Sequence, residues 1–295
     1  MHASTLLPPQ PVAHPPPPPF LPAQPRPRPS GIRLRVGGSA LEHHVERAME
    51  TLRAEKLAPI TITIRVVDVD GVCITLHEVS KQEQGAASFA MQHRALPATD
   101  MTGLHLWNCS LRLVRYLTSP TELPRTVTKL SRPLRIVELG AGTGLLGLAV
   151  ANRLGSGVSE VVLTDPDVAI GGGWTSLDVL RANVEANVAI SPTAAAAKLL
   201  WGDAGDIAAL AGHHGVFDVA IGSELLYRED SVAALAATVV ELGVATCVLA
   251  QQTRPAANMA IEEHFVRLME ASGYAASQQR EEGATAAIHV FRHVK

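Results

Sequence analysis

Apolar residues recur with a helical period over residues 41–57, then switch to alternation in Ile60-Thr-Ile-Thr-Ile-Arg-Val-Val67. Alternation of that kind predicts a half-buried strand. Asp68-Val-Asp-Gly71 supplies a turn, and residues 72–79 read as the returning strand of a β-hairpin. Residues 82–100 show no period. Residues 105–117 have helical spacing that ends near Ser119-Pro120. After Pro133, short apolar runs alternate with helical ones. Strands are predicted over 134–139, 160–164, 197–200, 217–222 and 246–250, and helices over 144–154, 176–188, 230–242 and 257–271. Two further strands, 275–279 and 286–293, follow without an intervening helix. Strand–helix alternation predicts a parallel α/β sheet, and the last pair predicts a C-terminal antiparallel hairpin.

The first 30 residues contain 12 of the chain's 20 prolines. Such a segment cannot pack into a core, so residues 1–40 read as a disordered, polyproline-like tail. Residues 41–132 then carry a helix, the hairpin and a pre-domain helix, and residues 133–295 form the main domain. The tail reads as a solvated leader, with binding to a proline-recognising domain as the alternative. It shares a lack of acids with transit peptides, but it is poor in serine and not amphipathic, and its prolines speak against a secretory signal. The best membrane-span candidate, residues 232–250, is interrupted by Glu241 and Gly243 and reads as a helix followed by a buried strand.

The 295 residues are 47% hydrophobic and 18% charged, enough for a sizeable core. A formal net charge of -3 argues against a dedicated nucleic-acid binder. No acidic residue precedes Glu42, so the tail is basic and the body acidic, which mildly favours a cationic substrate. Cys73, Cys109 and Cys247 are few, odd in number and widely spaced. They make neither a disulfide framework nor a zinc pattern, and they suit a reducing compartment. No metal site is expected.

The strongest chemical signal is Val137-Glu138-Leu139-Gly140-Ala141-Gly142-Thr143-Gly144-Leu145-Leu146-Gly147, between a predicted strand and a predicted helix. Glycines let the backbone turn sharply and approach a ligand, and the helix that follows points free N–H groups at it. The next strand ends in Thr164-Asp165, where an acid can accept hydrogen bonds from ribose hydroxyls. Two cofactors fit this layout. Gly142-x-Gly144-x-x-Gly147 matches the dinucleotide fingerprint. Glu138-x-Gly140-x-Gly142-x-Gly144 matches the pattern that class I methyltransferases use for S-adenosylmethionine. In the dinucleotide register the strand would run directly into Gly142, but Gly140 and Ala141 intervene.

From about Ile60 onward the sequence resembles the seven-β-strand protein-lysine methyltransferases of the methyltransferase-like group. The matching blocks are Thr102-Gly-Leu-His-Leu-Trp107, Val137 through Gly147, Thr164-Asp165, Leu180-Arg-Ala-Asn-Val-Glu-Ala-Asn187, Leu200-Trp-Gly202 and Phe217-Asp-Val-Ala-Ile-Gly-Ser-Glu-Leu-Leu-Tyr227. The resemblance implies a Rossmann-like, doubly wound seven-stranded sheet, S-adenosylmethionine as cofactor, and a protein substrate such as a chaperone or translation factor. A cytoplasmic monomer is expected, with nuclear or organellar residence as alternatives, and the charge and the interrupted apolar run argue against nucleic-acid and membrane partners. In the cofactor site the resemblance implies Trp107 over the site, Gly140, Ala141 and Gly142 beneath the methionine part, and Glu138 near its amino group. Asp165 would lie on the ribose, Trp201 against adenine, and Ser223 at the fourth strand's end. Glu224 and Tyr227 would orient the substrate amine.

Each residue also has a plainer reading. Trp107 and Trp201 taken singly read as core aromatics, although Trp201 is expected to end a parallel strand. Ser223 reads as a helix cap, Glu224 as a surface carboxylate or helix-start residue, and Asn183 and Asn187 as helix-end or surface residues. His213-His214 reads as an exposed loop pair without metal spacing. Two features depart from the family pattern. Glu224 stands where Asp is usual, and Gly171-Gly-Gly-Trp174 looks like an insertion.

Methyl transfer from a sulfonium needs a neutral amine. Deprotonating a lysine at pH 7 costs about 4.6 kcal/mol. Burial and the sulfonium charge reduce that cost, so no Ser/His/Asp or Cys/His arrangement is required. The alternatives are a methyltransferase acting on a small molecule or another side chain, and a non-catalytic cofactor-binding protein.

Overall fold

Period-two patterning becomes paired strands at the start of the described chain. β1 (Ile62–Val69) and β2 (Val72–Val79) form an antiparallel hairpin. Asp70 and Gly71 take positive φ at the tip, and Asp68 Oδ1 accepts the Gly71 N–H at 2.8 Å. The computed structural model describes residues 62–79, 108–119, 132–171, 173–252, 256–280 and 286–294. The helix expected over 41–57, the irregular stretch 82–100, the proline-rich tail and Trp107 lie outside the described residues.

The hairpin is followed by α1 (Asn108–Thr118), β3 (Leu134–Glu138), α2 (Leu145–Leu154) and β4 (Val158–Asp165). A short ribbon, β5 (Ala169–Gly171) with β6 (Trp174–Thr175), leads into α3 (Ser176–Ala186) and β7 (Ala194–Lys198). Next come α4 (Ala204–His214), β8 (Val219–Ser223), α5 (Glu229–Glu241), β9 (Thr246–Gln252) and α6 (Ala256–Ala271). β10 (Tyr274–Gln279) and β11 (Ala286–His293) close the chain. The seven-stranded sheet has the order β10-β11-β9-β8-β3-β4-β7. Five strands run parallel, and β11 is antiparallel to both neighbours. The chain winds outward from β3 through β4 to β7, then returns to β8 on the other side of β3. This is the doubly wound, Rossmann-like sheet with a C-terminal antiparallel pair.

Alternate residues of each central strand feed different cores. Ile136, Val161, Leu163, Val219, Ile221, Val248 and Ala250 join the hairpin, α1, α2 and α3 on one face. Val137, Val162, Ala220, Cys247 and Leu249 meet α4, α5 and α6 on the other. Burial on both faces is why these strands read as continuous apolar runs. Phe265 of α6 and Phe291 of β11 meet edge-to-face at 5.2 Å in the second core.

Four expectations are corrected. Residues 204–214 form a helix that apolar spacing did not predict, because only Ile207 and Leu210 are buried on it. Its start is set by Asp203, whose side chain accepts the Asp206 N–H at 2.8 Å. His213 and His214 therefore end a helix rather than lie in a loop, and the half-buried His214 reaches Glu160 at 2.9 Å. The third parallel strand lies over Ala194–Lys198, three residues before its expected start. It is four alanines and a lysine, a poor strand sequence that pairs because β4 offers an edge. Asn187 does end α3 as its C-cap, but neither Asn183 nor Asn187 is a surface residue, being 0% and 2% exposed.

Those two asparagines hold the hairpin to the domain. Asn183 Oδ1 accepts the His77 N–H at 2.6 Å, and its Nδ2 donates to His77 O at 3.2 Å. Asn187 does the same for Thr75, at 2.9 Å and 2.7 Å. Residues four apart on a helix rise about 6 Å, and residues two apart on a strand span about 6.8 Å. The pair thus substitutes for a neighbouring strand along β2. Asn183→Ala should destabilise the protein by about 1–3 kcal/mol in urea unfolding, because it leaves buried backbone groups unpaired.

Candidate active site

The glycine loop, Asp165, Trp201, Ser223, Glu224 and Tyr227 all lie at or just beyond the C-terminal ends of the parallel strands. The crossovers diverge between β3 and β8, and open α/β sheets bind ligands in the crevice at such a point. β3 ends at Glu138, and Gly140 opens the turn with φ 60°. Gly142 and Gly144 are also left-handed, at 56° and 83°. This is the methyltransferase register, not the dinucleotide one.

A turn of this shape presents backbone N–H groups that need acceptors, and buried side chains supply them. Asp165 Oδ2 accepts the Gly142 N–H at 2.9 Å, and Glu138 Oε2 accepts the Gly147 N–H at 2.9 Å. Thr164 O accepts the Ala141 N–H at 2.8 Å. On the acceptor side, Thr143 O receives Asn183 Nδ2 at 2.9 Å. Burial pushes Glu138 well above the ordinary carboxylate range. The nearby Asp165 charge acts in the same direction, and the Gly147 hydrogen bond opposes them.

Gly140 is where three loops meet. A Cβ there would lie 2.9 Å from Leu225 Cδ2 and 3.0 Å from Trp201 Cζ2. Trp201 does not end a strand as expected. It sits three residues past β7, in a turn whose Gly202 has φ 78°. Its half-buried ring packs against the second core. Ser223 ends β8, and its hydroxyl meets that of Ser110 on α1 at 2.7 Å. Glu224 is not a surface carboxylate: it is 5% exposed and takes φ 59°, left-handed for a residue with a Cβ. Its Oε1 accepts the Gln252 N–H at 2.9 Å. Tyr227 is half-buried, two residues before α5.

Sequence reading missed Ser110 and Gln251, and it gave Asn183 only a helix-end or surface reading. The signal for Gln251 was present as a polar residue ending the apolar run Thr246-Cys-Val-Leu-Ala-Gln-Gln252. Trp174, in the glycine-rich insertion, is exposed on the β5–β6 ribbon.

A family model described as a lysine methyltransferase matches residues 97–272. The chain belongs to the lysine methyltransferase family. The protein N-lysine methyltransferase METTL21A of Danio rerio is 29% identical over 227 residues, covering 75% of this chain and 92% of that protein. METTL21A of Mus musculus is 39% identical over 108 residues, covering 36% of this chain and 43% of that protein. EEF1A lysine methyltransferase 3 of Mus musculus is 29% identical over 190 residues, covering 64% of this chain and 71% of that protein. The chain is an S-adenosylmethionine-dependent N-methyltransferase acting on lysine in a protein substrate.

The residues present fit that cofactor. Trp201 Nε1 is buried without a hydrogen-bond partner among the described residues, leaving a donor at the end of the sheet where ligands bind. Gly140 keeps its backbone bare beside that ring. Among the described residues, no cluster of His, Cys, Asp or Glu is arranged to hold a metal ion, and no helix is long and apolar enough to cross a membrane.

Two measurements check this geometry. A Cβ on Gly147 would lie 2.4 Å from Glu138 Oε2 and 2.6 Å from Leu163 Cγ. Gly147→Ala should cost about 1–3 kcal/mol of unfolding free energy by overpacking. Glu138 has a raised pKa in the folded state, so its protonated form favours folding. That contribution is complete below the ordinary carboxylate range and is lost as pH rises toward the folded value. Glu138→Gln should therefore lose less stability than the parent when pH is raised from about 4 to 8, read from thermal melts across that range.

Proposed function

We propose that Glu224 and Tyr227 orient the lysine amine for methyl transfer. In the same reading, Asp165, Trp201 and the backbone of Gly140 to Gly142 seat the cofactor, with Glu138 and Ser223 beside them. The observation that carries this reading is the Glu224 backbone. A left-handed, buried glutamate is uncommon, and such residues persist where the surroundings hold them for a purpose. This one follows β8 at the switch point, with its neighbour Leu225 against Gly140.

S-adenosylmethionine supplies a methyl group on a positively charged sulfur. The protein's part is position and electrostatics. A carboxylate attracts the arriving ammonium and then holds the amine by a hydrogen bond, and the Tyr227 phenol can donate or accept one. The lysine ammonium would first lose a proton to solvent; the neutral amine would then take the methyl group as the methyl–sulfur bond breaks, with the sulfur leaving as a neutral thioether. Good alignment is worth about 7–11 kcal/mol, which dispenses with a strong base.

The substrate in this reading is a lysine of a translation factor or chaperone. The relative named for EEF1A supports the first class. The acidic body suits a cationic side chain. Cys73, Cys109 and Cys247 form no disulfide among the described residues, and three widely spaced cysteines suit a reducing compartment such as the cytoplasm.

Glu224→Gln tests the reading. Transfer of labelled methyl groups to EEF1A and to a whole-cell extract should fall about 100-fold. Calorimetric affinity for S-adenosylmethionine should stay within about threefold, because the cofactor is held elsewhere. Full activity in this variant would remove Glu224 from the site.

A further inference from the structure

The segment carrying Glu224 and Tyr227 is held from the neighbouring strand. The β8–β9 ladder ends at the Ser223–Ala250 pair, and a single further backbone bond, from the Glu224 N–H to Ala250 O, follows it. Side chains take over. Gln251 is 1% exposed at the C-terminal end of β9. Its Oε1 accepts the Leu226 N–H at 3.2 Å, and its Nε2 lies 3.4 Å from both Leu226 O and Glu224 Oε2. At neutral charge the amide accepts through its oxygen and donates through its nitrogen. On either side of Gln251, the Glu224 N–H donates to Ala250 O at 2.9 Å and the Gln252 N–H donates to Glu224 Oε1 at 2.9 Å.

We propose that Gln251 is a positioning residue for methyl transfer, fixing the Glu224–Tyr227 segment so that the Glu224 carboxylate keeps one orientation toward the incoming amine. Packing alone does not call for it, since an apolar residue would fill the same volume without burying an amide. Glutamine here holds both backbone groups of Leu226 and reaches one oxygen of Glu224. That leaves the strained φ at Glu224 with one well-defined arrangement. The inference rests on the reading of Glu224 as the amine-orienting group.

The test uses the full chain with Gln251→Met, which keeps volume and removes both polar atoms. In amide hydrogen exchange, protection of Leu226 should fall about tenfold or more, while Val248 and Leu249 in the ladder stay protected. With labelled S-adenosylmethionine and a whole-cell extract, the rate at saturating donor should fall about 100-fold. The half-saturating donor concentration should stay within about threefold. Unchanged Leu226 protection, or a saturated rate within about twofold of the parent, would overturn the proposal. So would a parallel loss of donor affinity and thermal stability, which marks a merely structural residue. Gln251→Glu serves if the methionine variant does not fold. It keeps an acceptor for the Leu226 N–H but sets a second carboxylate against Glu224, so protection should persist while the saturated rate falls; a parent-like rate would overturn the proposal. Glu224→Gln run alongside separates the two ideas. If it is fully active, the underlying reading fails. If it is inactive while both Gln251 variants work normally, only the role of Gln251 fails.

Discussion

The loop from Gly140 to Gly147 is the constraint on which the rest of the site depends. Three glycines with left-handed backbone make a turn whose N–H groups face inward and must be satisfied. Acceptors come from β3 through Glu138 and from β4 through Thr164 and Asp165. α3 returns the favour through Asn183, which donates to Thr143 O. Burying Glu138 raises its pKa, an electrostatic cost offset by holding the start of α2 in place. The same Asn183 grips His77 of the N-terminal hairpin. One side chain therefore ties the extra hairpin to the glycine loop, and hairpin and loop share a common support.

The second constraint lies across the crevice. Leu225 packs onto the bare backbone of Gly140, bringing the end of β8 against the end of β3. The direction of the next residues is set by Glu224, whose left-handed conformation is tied to the end of β9. Two irregular backbones, one of glycine and one of glutamate, thus face each other at the divergence of the crossovers. The sheet behind them is regular, with alternate residues of each strand committed to opposite cores. Precision at a site of this kind comes from placing unusual backbone on a rigid scaffold.

Much of this was legible in residue order. Alternation marked the hairpin and continuous apolar runs marked most of the parallel strands, because burial on one face leaves a period of two and burial on both faces fills it in. The glycine spacing and the acid ending β4 placed the loop and its partner. The expectation of surface positions for Asn183 and Asn187 failed for a physical reason. A polar residue reads as exposed unless its partner is visible, and these partners lie 106 and 112 positions away. The Ala194–Lys198 strand failed for the opposite reason: alanine carries no strand signal, and only the open edge of β4 gave it one.

The sequence by itself determined most of the order of strands and helices, the glycine turn, and which groups are available for the proposed site. These follow from local physics: positive φ that glycine adopts at no steric cost, and periodic apolar positions. The tertiary structure alone decided which carboxylates are buried, that Glu224 adopts φ 59°, and that Gln251 reaches the segment after β8. Those outcomes depend on contacts between residues 25 or more positions apart. Strand pairing fixes such contacts, and no local pattern in the chain records them.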